Sequence, residues 1–353
     1  PNNHVTKYIF GLRDDTYTFV DRVINAKEQI VNYNYDLGTG NLLWESDSNS
    51  FVKNYSYDVF GRLANETLPY DSKIYPTVIY GYEFDGIAPE KIIIQRRERN
   101  GTSNTLDEYQ FYDGFGHVIQ TKKESDNLRQ ISQDTYYDNM GRVSKISNSY
   151  FVSFYENYSS ANQSVNSTFY SYDQLDRIIK INNFDGTFRN ISYNLWNTII
   201  YDENGHRTDY KINAYGKIIE VKEYLGSLVY TTRYVYDVVD NLLSIIDAKG
   251  NFINYTYDTL GRKIKLDDMD IGVWNYSYDS AGNIIQQIDN NGNIKRMEYD
   301  ILNRKIKEIS SNSNRSYIYD LNLNNTLSQV SEVDLIINYT YDNRLRKMKE
   351  IKK

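Results

Sequence analysis

The dipeptide Tyr-Asp returns along this chain at a near-constant interval, and that recurrence restricts the fold more than any other feature. Tyr257-Asp258, Tyr278-Asp279 and Tyr299-Asp300 stand 21 residues apart. The stretch around the first of them, Asn254-Tyr-Thr-Tyr-Asp-Thr-Leu-Gly-Arg-Lys-Ile-Lys-Leu-Asp267, reads as a strand, a tight turn and a second strand. Self-similarity at a fixed period marks a repeat architecture. Each unit then contacts chiefly its neighbours, and length is additive.

The chemistry of one unit follows from its residue types. In an extended strand Tyr255 and Tyr257 share one face, while Asn254, Thr256 and Asp258 share the other. Tyr and Thr are strong strand residues. Asp at the first position of a turn and Gly three residues on fit a type I turn. The carboxylate accepts a backbone N–H and the glycine tolerates a left-handed exit. Asp138 with Gly141, Asp258 with Gly261 and Asp279 with Gly282 satisfy this pattern. Lys263-Ile-Lys-Leu266 then alternates polar and apolar, the period-2 signal of a half-covered strand. Many units turn again through Gly-Asn, as at Gly250-Asn251 and Gly292-Asn293. No stretch of helical period competes, so the fold class is all-β, an array of β-hairpins forming a sheet ribbon.

Counting degenerate copies such as Tyr82-Glu83, Tyr193-Asn194 and Ile212-Asn213, 14 anchors run from Tyr35-Asp36 to Tyr341-Asp342. Residues 1–34 read as an irregular N-terminal β segment and 35–353 as the array. Strands are expected at Thr16–Val20 and Gln29–Tyr35. Ile92–Arg99 leads to Asn100-Gly101, a dipeptide suited to a type I′ hairpin turn. The insertion at 151–168 is Ser/Asn-rich, lacks alternation and is expected to protrude as a loop.

Composition removes several classes of function. The net charge of −7, without a basic stripe, argues against a nucleic-acid partner. Absence of cysteine excludes disulfides, thiolate metal sites and a cysteine nucleophile. No apolar run of about 18 residues exists, so no membrane span is expected in this segment. With 36 Tyr against 13 Phe and 3 Trp, the apolar surface is carried largely by rings with a polar tip, which suit a half-buried sheet face. The chain starts at Pro1 with neither Met nor a signal-like segment, and reads as a processed product or an excised portion of something longer.

Tyr57-Asp58-x-x-Gly61-Arg62, Tyr137-Asp138-x-x-Gly141-Arg142 and Tyr257-Asp258-x-x-Gly261-Arg262 together resemble the YD repeat of the RHS family. That family includes RHS polymorphic toxins, shell-forming components of insecticidal toxin complexes, and teneurins. The resemblance extends from about Tyr35 to Asp342. It implies a long β-sheet ribbon spiralling into a shell, tube or solenoid; in toxins the shell encloses a C-terminal effector. RHS toxin cores end in a Pro- and Gly-containing segment where an aspartate-dependent self-cleavage occurs. Here all 4 prolines precede residue 90, so the self-processing activity is carried over to no residue of this chain. At two strands per unit and ~4.8 Å per strand, 14 units make a ribbon ~130 Å long, which one belt would roll into a ring ~40 Å across. Such a belt encloses nothing, so a larger shell or stacked copies are expected.

Candidate sites are few. Asn-x-Ser/Thr occurs at Asn54, Asn65, Asn100, Asn157, Asn162, Asn166, Asn190, Asn254, Asn275, Asn314, Asn324 and Asn338. Each is a potential N-glycan acceptor if the chain is secreted, although an Asn-rich repeat also copies the motif as a by-product. The Asp–Arg pair of each unit reads as turn structure with solvated charge. Asp289-Asn-Asn-Gly-Asn293 and Asp267–Asp270 are better read as turns than as calcium loops, since neither has the spacing of an EF-hand or a calcium-binding β-roll. His4, His117 and His206 are isolated, and His117 stands where Arg usually follows Gly. No nucleophile elbow, phosphate loop or zinc motif is present. The sequence therefore predicts no catalytic residue, cofactor or metal. It predicts a non-enzymatic, secreted or cell-surface scaffold of YD repeats, adhesive or part of a fibre or tube, whose partners are further copies or YD-repeat segments. The alternative is a fragment of an RHS-type toxin shell that encapsulates and delivers a C-terminal effector.

Overall fold

A computed structural model of the chain describes residues 5–353 apart from 14, 127, 322, 334 and 343–344; among them are 31 strands and no helix. Two strands for each of the 14 anchors account for 28; the other three are Lys7–Phe10, Val20–Ile24 and Tyr150–Ser153. Hairpin follows hairpin in antiparallel register, as in Tyr255↔Leu266 and then Leu266↔Trp274. Burial alternates along Phe252–Tyr257 as its residue types require, with Ile253, Tyr255 and Tyr257 half-buried and Asn254 and Thr256 exposed.

The N-terminal expectation needs correction. The strand is Val20–Ile24 rather than Thr16–Val20, while Ile30–Tyr35 forms close to where alternation placed it. At Asn100-Gly101 only the glycine has positive φ, +70°, so the turn is not type I′, which requires positive φ at both central residues.

The chain divides into two compact units: Pro1–Ile79 with Arg97–Asn104 and Ile253–Lys353, and Tyr80–Arg96 with Thr105–Phe252. Inside the first unit, hairpin tips remote in sequence meet. Gln29 Nε2 donates to the Ile301 carbonyl at 2.6 Å, across 272 residues of chain, and Lys27 Nζ to Asn303 Oδ1 at 2.6 Å. One hairpin along, Asn325 Nδ2 lies 3.4 Å from Asp47 Oδ2, across 278 residues. Tyr-Asp turns on one edge thus sit on return turns of another edge, two hairpins in step.

The second unit holds the densest interior. Tyr109, Phe111, Gln120, Lys122, Gln130, Ser132 and Asp134 are each at most 2 % exposed. They alternate along Thr105–Tyr112, Val118–Ser125 and Arg129–Tyr137, so one sheet face carries them all. What covers that face is the insertion, which does not protrude. Tyr150–Ser153 pairs with the start of Arg129–Tyr137, whose far end pairs with Val143–Ser147. Residues 154–159 then lie across the buried face.

Candidate functional site

The Tyr-Asp turn is the recurrent chemical feature, and its wiring explains each residue of the motif. In the unit at Asp258, the Asp258 N–H donates to the Arg262 carbonyl at 2.9 Å and the Gly261 N–H to the Asp258 carbonyl at 3.0 Å. This is a type I turn closed by a left-handed residue, Gly261 with φ +74°. Asp258 Oδ1 accepts from the N–H groups of Leu260 and Arg262, and Oδ2 from Arg262 Nε at 2.7 Å. The Arg262 N–H, against an opposing effect of partial burial, and then its guanidinium hold the Asp258 carboxyl below its ordinary range. At Asp138 the Arg142 guanidinium is the leading cause of the same shift.

Arginine and tyrosine extend the wiring between units. The Arg262 guanidinium lies 4.8 Å over the ring of Tyr278, the next anchor, and Nη1 donates to the Asp279 carbonyl at 3.2 Å. Arg142 over Tyr172, Arg177 over Tyr193 and Arg304 over Tyr319 repeat the stack at 4.7, 4.2 and 4.4 Å. In return, Tyr278 Oη donates to the Lys263 carbonyl at 2.6 Å, as Tyr57 does to Leu42 and Tyr341 to Leu327, both at 2.9 Å. In each of these three the acceptor is the residue that follows the preceding turn. Tyrosine is needed because its ring takes the stack and its hydroxyl makes the bond. This corrects the reading of the arginines as solvated charge: the Arg262 side chain is only 25 % exposed and clamps two units together.

The covering segment was not legible as a site. Lys122 Nζ donates to the carbonyls of Asn157, at 2.7 Å, and Tyr155, at 3.3 Å. Gln120 Nε2 donates to Ser159 O at 2.9 Å and to Asp134 Oδ1 at 2.7 Å, and the Tyr155 N–H donates to Gln130 Oε1 at 3.0 Å. Buried polar side chains supply the partners that an irregular backbone laid on a sheet face would otherwise lack. Burial pushes the Lys122 ammonium below its ordinary range, partly offset by Asp134. The available signal was five polar residues, Gln120, Lys122, Gln130, Ser132 and Asp134, at alternate positions of adjoining strands.

The sequon asparagines are scattered rather than brought together. Asn157, Asn162, Asn166, Asn254, Asn275, Asn314 and Asn324 are exposed, whereas Asn54, Asn65, Asn100, Asn190 and Asn338 are half-buried. The amide nitrogen that would carry a sugar is engaged at Asn65, which donates to Ser56 Oγ at 2.8 Å, and at Asn100, which donates to the Tyr70 carbonyl. His117 and His206 each fill the arginine position of a turn, Nδ1 lying 2.9 and 3.2 Å from Oδ2 of Asp113 and Asp202. His4 falls outside the described residues. Asp289 is tied into its own turn by the N–H groups of Asn291 and Asn293, and Asp268 by those of Asp270 and Ile271. No group of three or more acidic or histidine side chains is placed to hold a metal among the described residues, and no described helix is long and apolar enough to cross a membrane.

No family model matches the chain and no curated protein matches it in sequence. Solved structures do. Over 99 % of its length the chain superposes on the crystal structure of TcdB2-TccC3 with a TM-score of 0.66 and 15 % identity. Over 98 % it superposes on a Photorhabdus luminescens Tc holotoxin pore structure with a TM-score of 0.73 and 15 % identity. The chain spans about a quarter of the length of those chains, 25 % and 24 %. The resemblance drawn from Tyr57-Asp58, Tyr137-Asp138 and Tyr257-Asp258 therefore holds at the level of architecture: this chain has the β-ribbon fold found in the TcdB2-TccC3 structures.

Proposed function

We propose that this chain is a wall segment of an RHS-type toxin shell, a non-enzymatic β-ribbon that helps enclose an effector. The observation that carries the proposal is the likeness to TcdB2-TccC3 and to the Tc holotoxin pore over 98–99 % of the chain. Sharing a fold does not impose a shared function, so the shell role rests on a second, local observation as well. In the first unit, turns at Ile301 and Asn325 sit on turns at Gln29 and Asp47. Edge-on-edge seating of this kind lets a ribbon build a wall without open seams. The fibre or adhesin reading has no comparable support.

The shell is proposed to be secreted, with N-glycans confined to exposed sequons such as Asn162, Asn275 and Asn314 where the host attaches them. The deciding experiment is electron microscopy and limited proteolysis of the native polypeptide that contains this chain. A closed particle whose internal segment resists protease until the wall is breached is the expected result. Open filaments built from this segment, with no protected internal segment, would refute it.

A further inference from the structure

In the second unit a cavity of about 870 Å³ opens beside the turn Asp113–His117. Its walls include Phe115, His117, Tyr136, Tyr137 and Tyr158, the last from the covering segment. No lysine or arginine lines it among the described residues, and the carboxylates are Asp113 and Asp138. Arg142 already holds Asp138, Nη2 lying 2.7 Å from Oδ2. Among the described residues Asp113 is bonded by imidazole and backbone groups: His117 Nδ1 at 2.9 Å, with the Phe115 and His117 N–H groups on Oδ1.

In four other units this position belongs to a guanidinium that reaches the next anchor. Arg142, Arg177, Arg262 and Arg304 each pair with their own turn aspartate and lie 4.2–4.8 Å over the next anchor tyrosine. Here the next anchor is Tyr137, and the shorter His117 ring stacks on it at 4.5 Å. The substitution puts an imidazole where those units place a guanidinium, while the covering segment adds a further aromatic wall. Ring faces and carboxylates in a recess that no lysine or arginine lines attract cations and disfavour anions.

We propose that this cavity binds an organic cation, a guanidinium or alkylammonium group that supplies the charge the repeat's own arginine supplies in other units. The cation can be a free small molecule or an arginine or lysine side chain of a second polypeptide. Calorimetry on the full chain should compare agmatine, a blocked Gly-Arg-Gly peptide and the neutral N-butylurea. Saturable binding of agmatine or the peptide, at least about tenfold tighter than N-butylurea, is expected, and the tighter of the two identifies the source. The variant His117→Arg restores the motif of the other units and should weaken cation binding at least about tenfold while melting no lower than the wild type. Equal binding of N-butylurea, or no saturable binding up to about 20 mM, overturns the proposal. Undiminished binding by a folded His117→Arg protein does so too. Should that variant not fold, the wild-type comparison of charged and neutral probes still decides.

Discussion

Replacing Tyr278 by phenylalanine isolates the hydroxyl that ties one unit to the one before it. The ring, and with it the stack under Arg262 at 4.8 Å, is retained. What is lost is the 2.6 Å bond from Tyr278 Oη to the Lys263 carbonyl. A half-buried neutral bond of this kind contributes about 1 kcal/mol net, more if the carbonyl finds no other donor. Spread over the whole chain that is nearly invisible, because a long array has a large unfolding entropy. It is not invisible locally. In a nearest-neighbour array the loss falls on the two hairpins that share the bond, where about 1 kcal/mol raises the local opening constant about fivefold. Hydrogen exchange therefore gives the readout. Amides of Lys263–Asp268, Gly272–Tyr278 and the turn Asp279–Asn283 should exchange about fivefold faster in Tyr278→Phe, while distant units stay unchanged. Tyr255→Phe is the internal control, since Tyr255 shares the same face but makes no carbonyl bond through its hydroxyl among the described residues. Equal acceleration in both variants, or acceleration spread over the array, would refute the hydroxyl-tie argument.

Three further outcomes follow from the same geometry. Gly261→Val forces a β-branched residue to φ +74° and should cost roughly 2 kcal/mol, seen as faster exchange confined to the turn and its flanking strands. Gln120→Ala removes a fully buried amide that bonds Ser159 and Asp134, at a cost of roughly 2–4 kcal/mol, and limited proteolysis should then cut between residues 154 and 166 at protease levels the wild type resists. Stability should form a plateau against pH with two edges. Turn carboxyls such as Asp138 and Asp258 are held below their ordinary range, so their contribution is present above about pH 4 and lost as pH falls through the native values. Burial raises tyrosines such as Tyr278 and Tyr299, so theirs is present below about pH 10 and lost as pH rises through the native values. Denaturant midpoints measured from acid to alkali check both edges, and a midpoint unchanged from neutrality to pH 2 would contradict the first.

What the sequence made legible is what neighbouring residues decide. Alternation placed Tyr255 and Tyr257 on one face, and Asp258 with Gly261 declared the turn, because strand pleat and turn chemistry operate within a few residues. What it hid depends on partners farther along the chain. Arg262 reads as surface charge until its stack on a ring 16 residues away is known. The insertion reads as a loop because it has no period of its own; it is held by side chains of other strands, Lys122 and Gln120 reaching 35 and 39 residues to find it. The misplacement of Thr16–Val20 has a simpler cause. Its alternation is real, but strand pairing begins at Val20, opposite Phe10. The cavity beside His117 was half visible, since the missing arginine stands in the sequence while the aromatic wall opposite comes from the covering segment.

The clamp also has a direction. Arg142, Arg177, Arg262 and Arg304 reach toward the carboxyl terminus for the next anchor, and hydroxyls such as that of Tyr278 reach back. A hairpin leaving the ribosome is thus half-finished until the following one emerges. With 21 residues between Tyr257 and Tyr278 and synthesis at about 5–20 residues per second, that unit waits about one to four seconds for its successor. Where the clamp is present, a hairpin made during translation therefore gains its last partners only once the following unit has emerged.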